Sequence, residues 1–476
     1  MLNISLEQLL KFTNSKLICG KPESLITRFS TDSRSLICKD FFIPLSGPNF
    51  DAHDYIIDAV LKKASGFVFS RRDFKMNSTI EEAIKINPEI IILNNSDPML
   101  FLKGAASGYI RKRKAVSIGI TGSSGKTTTK NFLASILKSY AKTIYTEKNY
   151  NNEIGVCKSI FNIEEDTDFF IAELGMRGPG QIKELSEICN IKHGIITNVG
   201  PSHLEFFKST KEIAIAKAEI GEKIYKNSGI LLLNKDDPHT DYIEKKLECK
   251  IIECGSLNTL EYNFTNALCS QYAIYGYDFY HFNNYLTHID LSIPGYHNIY
   301  NSLLAAAFAK TINIDNEVIT KALKATFSND NRMDIFQKGS LLIIDDCYNA
   351  NPLSLKSAVD TLKEIAQDKG LRSVAIIGDM FELGEESEKL HYDSGEYIAN
   401  KNIDLLITVG NHCANLNDGY KKIKKGISLS YHFQDINEML INLDNIISKR
   451  DIILVKGSRA NKMENIIEFI RKEDFK

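Results

Sequence analysis

The sequence lacks most of the features that assign a chain to a class at a glance. No stretch approaches the run of about 18 apolar residues that a membrane-spanning helix needs, so membrane insertion is not expected. Neither sign of charge prevails. Lys and Arg number 58 against 60 Asp and Glu, a formal net charge of −2, which removes the electrostatic motive for binding nucleic acid or an anionic membrane. The nine cysteines (Cys19, Cys38, Cys157, Cys189, Cys249, Cys254, Cys269, Cys347 and Cys413) include no C-x-x-C pair, which argues against a zinc or redox framework, and their scatter fits a reducing compartment. The first residues, MLNISLEQLLKF, carry no basic segment, and Glu7 interrupts any signal-like apolar run. Low-complexity linkers and fixed-period repeats are also missing. A cytoplasmic globular protein with no nucleic-acid partner is expected.

What is present is ordinary globular composition: 43% hydrophobic and 25% charged residues in a chain of 476. At about 150 residues per domain, that length suggests three domains. Local punctuation divides the chain at 1–97, 98–312 and 313–476. The first part reads as a small α/β unit with short buried strands at Gly66–Phe69 and Ile90–Leu93, closed by Asp97-Pro98. The basic run Arg111–Lys114 reads as a solvated helix end. From 115 onward short β-branched runs alternate with amphipathic stretches. Strands are expected at Val116–Ile120, Phe169–Ala172, Gly194–Thr197 and Ile230–Leu233, with a helix carrying Phe132, Leu133, Ile136, Leu137 and Tyr140. A second such series has strands at Leu341–Ile344, Val374–Ile377, Leu405–Thr408 and Ile452–Val455. This alternation predicts an α/β fold with mainly parallel sheets flanked by helices, whose ligands sit at the carboxyl ends of strands. Residues 255–290, rich in Tyr, Asn and Phe, read as irregular or antiparallel β.

The segment Thr121-Gly122-Ser123-Ser124-Gly125-Lys126-Thr127-Thr128 follows a strand and opens a helix. Glycines let the backbone turn so that its N–H groups face phosphate oxygens, and the helix N-terminus adds partial positive charge. Lys126 can reach β- and γ-phosphates, and the Thr127 hydroxyl can take Mg²⁺. The spacing departs from the usual Walker pattern, because position 120 is Ile rather than Gly. The alternative is a Gly-Ser turn beside a surface lysine. Asn234-Lys-Asp-Asp237 fits the N-K-x-D pattern of guanine-binding GTPases, but turns rich in Asn and Asp are common after strands, and no convincing switch region lies between it and the loop.

Three further residues are candidates. Glu173 ends one strand and His203 follows the next, in the positions where a γ-phosphate and Mg²⁺ would lie over a parallel sheet. Mg²⁺ prefers oxygen ligands, so a histidine there suggests a second metal position. Taken singly, either could be a surface or capping residue. Lys217 lies in the helical stretch Ile213–Ile220, where partial burial would make it lose its charge readily and open it to chemical modification; the alternative is a lysine that snorkels to solvent.

Together these segments resemble the Mur ligase family of ATP-dependent amino-acid and peptide ligases, over almost the whole chain. TGSSGKTTTK (121–130) is similar to that family's short phosphate loop, and ELGMRGPGQI (173–182), NVGPSHLEFF (198–207) and LNKDDP (233–238) resemble its following segments. So do HNIYN (297–301), NRMD (331–334), DDCYNANP (345–352), GDMFELG (378–384) followed by His391 and Gly395, and VKGSRANKMEN (455–465). In the first domain, Thr31-Asp-Ser-Arg34 and Gly47–His53 resemble its uridine-nucleotide docking segment. Sister ligases typically carry D-Y-A-H-x-P where this chain has DDCYNANP and lack GDMFELG, which points to the dipeptide-adding branch.

The resemblance implies three domains: a small N-terminal α/β domain that docks the nucleotide-sugar, a central P-loop-type parallel sheet that binds ATP, and a C-terminal Rossmann-like α/β domain for the incoming dipeptide. It implies that Asn298, Asn301, Arg332 and Asp346 join the loop in binding ATP, the asparagines at the adenine end. Ser33, Arg34, Tyr348, Asn349 and Asn351 would bind substrate. Thr127, Glu173, His203 and Lys217 would hold two Mg²⁺ ions, Lys217 as a carbamate, with Lys126, Lys217 and His203 as the catalytic set. The implied partners of a monomeric enzyme are UDP-N-acetylmuramoyl-tripeptide and D-Ala-D-Ala, joined through an acyl phosphate. Two other readings stay open: a P-loop GTPase or nucleotide switch, and another ligase of this fold, either a different Mur-type enzyme or a folate polyglutamate ligase. The folate type lacks a uridine-docking segment like TDSR.

Overall fold

A computed structural model describes residues 2–70, 74–147, 149–327, 331–424 and 429–472. They form two compact units, one of residues 1–119, 141–174 and 183–193, the other of 120–140, 175–182 and 194–476.

In the first unit, β1 (Lys16–Cys19), β2 (Phe29–Ser30), β3 (Phe41–Phe42), β4 (Gly66–Phe69) and β5 (Ile91–Asn94) make a sheet in the order β1-β5-β4-β3-β2. Strands β2 to β5 are parallel and β1 is antiparallel to β5. Every residue of β4 and β5 is buried. That is why they read as unbroken apolar runs: a parallel strand is covered on both faces. The Asp97-Pro98 break is a helix start. The Asp97 side chain accepts a hydrogen bond from the Met99 amide and Pro98 takes the first turn of α1 (Pro98–Ile110). Arg111–Lys114 follows the end of that helix, as expected. The unit also holds most of β6 (Val116–Thr121) and the parallel pair β7 (Thr143–Tyr145) and β8 (Phe169–Glu173).

The second unit begins where β6 ends and α2 (Lys126–Tyr140) starts. Strands β9 (His193–Ile196), β10 (Ile230–Asn234), β11 (Lys250–Gly255) and β12 (Tyr262–Cys269) run parallel, with α3 (Thr210–Ala218) between β9 and β10 in sequence. The Tyr-rich stretch is antiparallel: β12 pairs with β13 (Ile274–His281), and β13 with β14 (Asn284–Pro294). Helix α4 (His297–Thr311) is buried from Leu303 to Ala309 without interruption, as a helix apolar on all sides must be.

The last sheet runs β15-β16-β20-β17-β18-β19, made of β15 (Asp334–Lys338), β16 (Leu341–Asp345), β17 (Arg372–Gly378), β18 (Leu405–Val409), β19 (Leu429–Phe433) and β20 (Asp451–Lys456). All its pairings are parallel except β15–β16. The period of two divides it cleanly. Leu342, Ile344, Ala375, Ile377, Leu406 and Leu454 pack on one face with α5 (Pro352–Lys369), α6 (Ser387–Asn400) and α7 (Cys413–Lys424). Ile343, Val374, Ile376, Ile407, Ile453 and Val455 pack on the other with α8 (Ile436–Ile446) and α9 (Glu464–Lys472). The architecture is α/β, with a small N-terminal sheet, a parallel sheet behind the phosphate loop and a C-terminal Rossmann-like layer. No helix among the described residues is long and apolar enough to cross a membrane.

Candidate active site

The loop between β6 and α2 has a shape that side chains would spoil. Gly125 sits at φ +78°, and a Cβ there would lie 2.3 Å from Asn301 Oδ1; one on Gly122 would lie 1.8 Å from Thr197 Oγ1. The segment after β9 braces the loop from below. Asn198 Oδ1 accepts from the Ser124 amide at 2.9 Å, Thr197 Oγ1 donates to the Ser124 carbonyl at 2.5 Å, and Ser123 Oγ donates to the Gly200 carbonyl at 3.0 Å. Lys126 Nζ folds back onto the Gly122 carbonyl at 2.7 Å, and the Thr121 hydroxyl is buried without a hydrogen bond. Thr127 is buried in the first turn of α2, and Thr128 follows it there. The glycine-cleared backbone, the helix start and the lysine are the parts of a phosphate cradle.

Asn298 and Asn301, expected at the adenine end of ATP, are buried in α4. Asn301 Nδ2 donates to Asn298 Oδ1 at 2.9 Å, Asn301 Oδ1 accepts from Thr129 Oγ1 at 3.3 Å, and Asn298 Nδ2 donates to the Pro294 carbonyl at 2.7 Å. In this arrangement the two amides brace one another and the first turns of α2.

Lys217, in the last turn of α3, has only 1% of its surface exposed, and its Nζ makes no hydrogen bond or ion pair with the described residues. It is not a snorkelling lysine. Burial, reinforced by the charge of Lys126 and opposed by Asp237, pushes its amine well below the usual lysine range. Asp237 belongs to the N-K-x-D turn, and the structure gives that turn a bracing part. Its Oδ2 accepts from the Val199 amide at 2.7 Å and its Oδ1 from the His239 amide at 2.8 Å, while burial raises its carboxyl.

His203 has a left-handed backbone, φ +57°. Its Nδ1 lies 2.5 Å from Glu382 Oε2. Glu382 comes from the GDMFELG segment after β17, and its other oxygen is 3.4 Å from Arg177 Nε. The bond to His203 holds the Glu382 carboxyl below the usual range despite partial burial.

On the C-terminal sheet, Asp346 Oδ2 pairs with the buried Lys456 at 2.5 Å, and Lys456 also donates to the Asn349 carbonyl at 2.9 Å. The Arg332 guanidinium lies 3.9 Å over the Tyr348 ring. Asn351 caps α5 and sends its Nδ2 to the Ser123 carbonyl at 3.2 Å, tying this sheet to the phosphate loop. Asp379, His391 and Cys413 also come close together. The His391 ring is already engaged at both nitrogens, Nε2 by the Met380 amide and Nδ1 by the Ser387 carbonyl, so it has no lone pair to offer a metal.

Two groups of candidates lie in the first unit. Glu173, at the end of β8, is 3% exposed and accepts at Oε1 from Asn151 Nδ2 at 3.1 Å. Arg34 is exposed and bonded through two nitrogens to Asp32, at 2.9 and 2.8 Å, while the Ser33 carbonyl accepts from Lys62 Nζ at 2.7 Å. Sequence reasoning assigned no role to Asn198, Glu382 or Lys456, and gave Asp237 only the guanine-reading role of the N-K-x-D pattern. All four lie inside segments already singled out, which was the available signal.

Thr127, His203 and Lys217 offer one hydroxyl, one imidazole nitrogen and one amine. The amine gains oxygen donors only as a carbamate, and with it the set suits Mg²⁺. A phosphate loop beside a buried amine and an oriented histidine marks a nucleotide-dependent enzyme of phosphoryl chemistry. Residues 120–309 match the Mur ligase middle domain, and residues 331–459 the Mur ligase glutamate ligase domain. The chain is 33% identical to UDP-N-acetylmuramoyl-tripeptide–D-alanyl-D-alanine ligase of Buchnera aphidicola subsp. Baizongia pistaciae, with 99% of each chain covered. It is 29% identical to the Escherichia coli protein of the same name, again with 99% of each covered. A MurF crystal structure from Acinetobacter baumannii superposes with a TM-score of 0.89 at 28% identity, covering 99% of both chains. A Thermotoga maritima MurF in complex with ADP shares the fold, with a TM-score of 0.79, 23% identity and coverage of 94% and 98%. The chain belongs to the Mur ligase family.

Proposed function

We propose that this protein is an ATP-dependent ligase that joins D-Ala-D-Ala to UDP-N-acetylmuramoyl-tripeptide in the cytoplasm, as a step of peptidoglycan precursor synthesis. The observation that carries the reading is the end-to-end likeness to enzymes of that name, at 33% identity, in a chain whose phosphate loop is formed and braced. In domain terms, residues 1–97 dock the nucleotide-sugar through Ser33 and Arg34, residues 98–312 bind ATP, and residues 313–476 receive the dipeptide. The enzyme acts as a monomer.

A carboxylate is a poor electrophile and must be activated. The terminal carboxylate of the tripeptide attacks the γ-phosphorus of ATP, and ADP leaves. The amine of D-Ala-D-Ala attacks the resulting acyl phosphate, phosphate leaves and the amine loses a proton. Both steps gather negative charge, so the chain contributes mainly by positioning and electrostatics. The loop amides and Lys126 hold the phosphates, with Asn298 and Asn301 supporting the loop on the nucleotide side. Arg332, over Tyr348, and Asp346 line the C-terminal approach to the nucleotide, and Asn349 and Asn351 border the acceptor. Mg²⁺, when bound, would supply charge neutralisation, with Thr127, His203 and Lys217 as residues that would hold it.

Lys217 suits carbamylation. Its burial and depressed proton affinity favour the neutral amine, the form that adds to CO₂ with loss of one proton. The carbamate carries a negative charge, which the Lys126 ammonium attracts. The GTPase reading is disfavoured because Asp237 spends both oxygens on backbone amides.

The test is phosphate release from ATP with UDP-N-acetylmuramoyl-tripeptide, with and without D-Ala-D-Ala. Release that depends on both substrates and yields the pentapeptide product is expected. GTP-driven release with no peptide product would overturn the reading.

A further inference from the structure

Among the described residues, two non-glycine residues with left-handed backbones meet across 179 positions of sequence: His203 at φ +57° and Glu382 at φ +62°. Such conformations cost of order 1 kcal/mol or more each and persist where the surroundings enforce them. Here they do. The segment carrying Glu382 is pinned to its own sheet. The Phe381 amide donates to Ser458 Oγ at 3.0 Å, the Met380 amide to His391 Nε2 at 3.0 Å and the Ser458 amide to the Asp379 carbonyl at 3.1 Å. It is seated on the histidine segment as well. The Glu205 amide donates to the Glu382 carbonyl at 3.2 Å, and a Cβ on Gly384 would lie 3.1 Å from Glu205 Cα. Arg177, 3.4 Å from Oε1, fixes the carboxylate from its other side.

We propose that Glu382 is a positioning residue, which reaches from the C-terminal sheet to hold the His203 ring by Nδ1 and thereby sets Nε2 as the nitrogen offered to the metal and phosphate groups of the reaction. A carboxylate only accepts, so Nδ1 carries a proton, and in the neutral ring the lone pair then lies on Nε2. Nε2 makes no hydrogen bond with the described residues. Because the carboxylate comes from the C-terminal sheet, the histidine is oriented only while that segment is seated, which links acceptor-domain closure to completion of the site. The assignment of Nε2 rests on the ligase reading. The bond and the tautomer do not.

The experiment uses the full chain with ¹⁵N-labelled histidine, in wild type, Glu382→Ala and Glu382→Gln, with the His203 signal assigned by its loss in His203→Asn. Wild type should show the Nδ1–H tautomer without any substrate. Glu382→Ala should move much of the proton to Nε2, and Glu382→Gln, whose amide oxygen still accepts, should keep it on Nδ1. Binding of Mn²⁺ in the presence of ADP should weaken about 10- to 100-fold in Ala and far less in Gln. The kcat should follow the same order while the KM for the nucleotide-sugar stays nearly constant. An unchanged tautomer in folded Glu382→Ala, or Mn²⁺ affinity equal to wild type, would overturn the proposal. A wild-type enzyme that forms no peptide product faults the ligase reading instead, and the tautomer still decides for or against Glu382.

Discussion

Replacing Lys456 by Met should destabilise the C-terminal sheet by about 3–5 kcal/mol, the cost of leaving one member of a buried ion pair without its partner. The Lys456 side chain is 2% exposed and its partner Asp346 12%, at 2.5 Å. Met keeps most of the stem and its packing, so the loss falls on two orphaned groups. The Asp346 carboxylate retains only the Met333 amide, at 3.3 Å, and the Asn349 carbonyl loses its lysine donor. An exposed pair would be worth no more than about 1 kcal/mol, so the two cases are well separated. The double variant Asp346→Asn, Lys456→Met carries no stranded charge and should recover about 2 kcal/mol of the loss. The chain has no Trp, so urea unfolding is best followed by far-UV circular dichroism, with a constant slope confirming that the same transition is compared. A loss below about 1 kcal/mol for Lys456→Met, or a double variant as unstable as the single, would refute the buried-pair argument. Because the same turn carries Tyr348 and Asn349, ligase activity should fall together with stability.

Further outcomes are expected from the phosphate loop and its surroundings. Lys126→Ala should lower turnover by about 100-fold or more with nucleotide-sugar binding, measured by calorimetry, nearly unchanged, whereas Ser33 and Arg34 variants should weaken that binding and spare ATP. Gly125→Ala puts a Cβ 2.3 Å from Asn301 Oδ1 at φ +78° and should cost about 1–3 kcal/mol in thermal unfolding together with ATP binding. Asn234→Ala should leave the preference for ATP over GTP untouched in competition assays, since its turn braces the protein. Lys217→Ala and Lys217→Arg should both lose activity. Short carboxylates such as formate or acetate should partly rescue Ala, and removing CO₂ from the wild type should lower its activity until bicarbonate is restored; a fully active Lys217→Arg would exclude the carbamate.

What could be read from the sequence was what is written locally. The phosphate loop announced itself through a strand, two glycines and a helix start within a dozen residues. The buried parallel strands β16, β17, β18 and β20 announced themselves as apolar runs, because both of their faces are covered. Strands β15 and β19 went unread for the converse reason. They are the edges of their sheet, and Asp334–Lys338 and Leu429–Phe433 mix polar with apolar residues, most of them half-buried, with no run to notice. The N-K-x-D turn was ambiguous for a local reason too. An aspartate that receives backbone amides looks the same in sequence as one that would read a guanine, and only the bonds from Val199 and His239 tell them apart.

The site is harder to read than the fold because its chemistry depends on partners remote in sequence. Nothing in the helical stretch around Lys217 says that its amine ends buried, without a hydrogen-bond partner among the described residues, and within the field of Lys126. Yet that is the condition under which a lysine is neutral enough to take up CO₂. Likewise GDMFELG could be recognised as a segment of interest, but the meeting of Glu382 with His203 is set by two pinned loops and two left-handed backbones. In both cases the residue's identity was visible and its state was not, since charge, tautomer and orientation belong to the folded environment. Tests aimed at those states, by CO₂ dependence for the lysine and by tautomer for the histidine, therefore probe the mechanism more directly than further substitutions in the loop, whose loss of activity any P-loop enzyme would share.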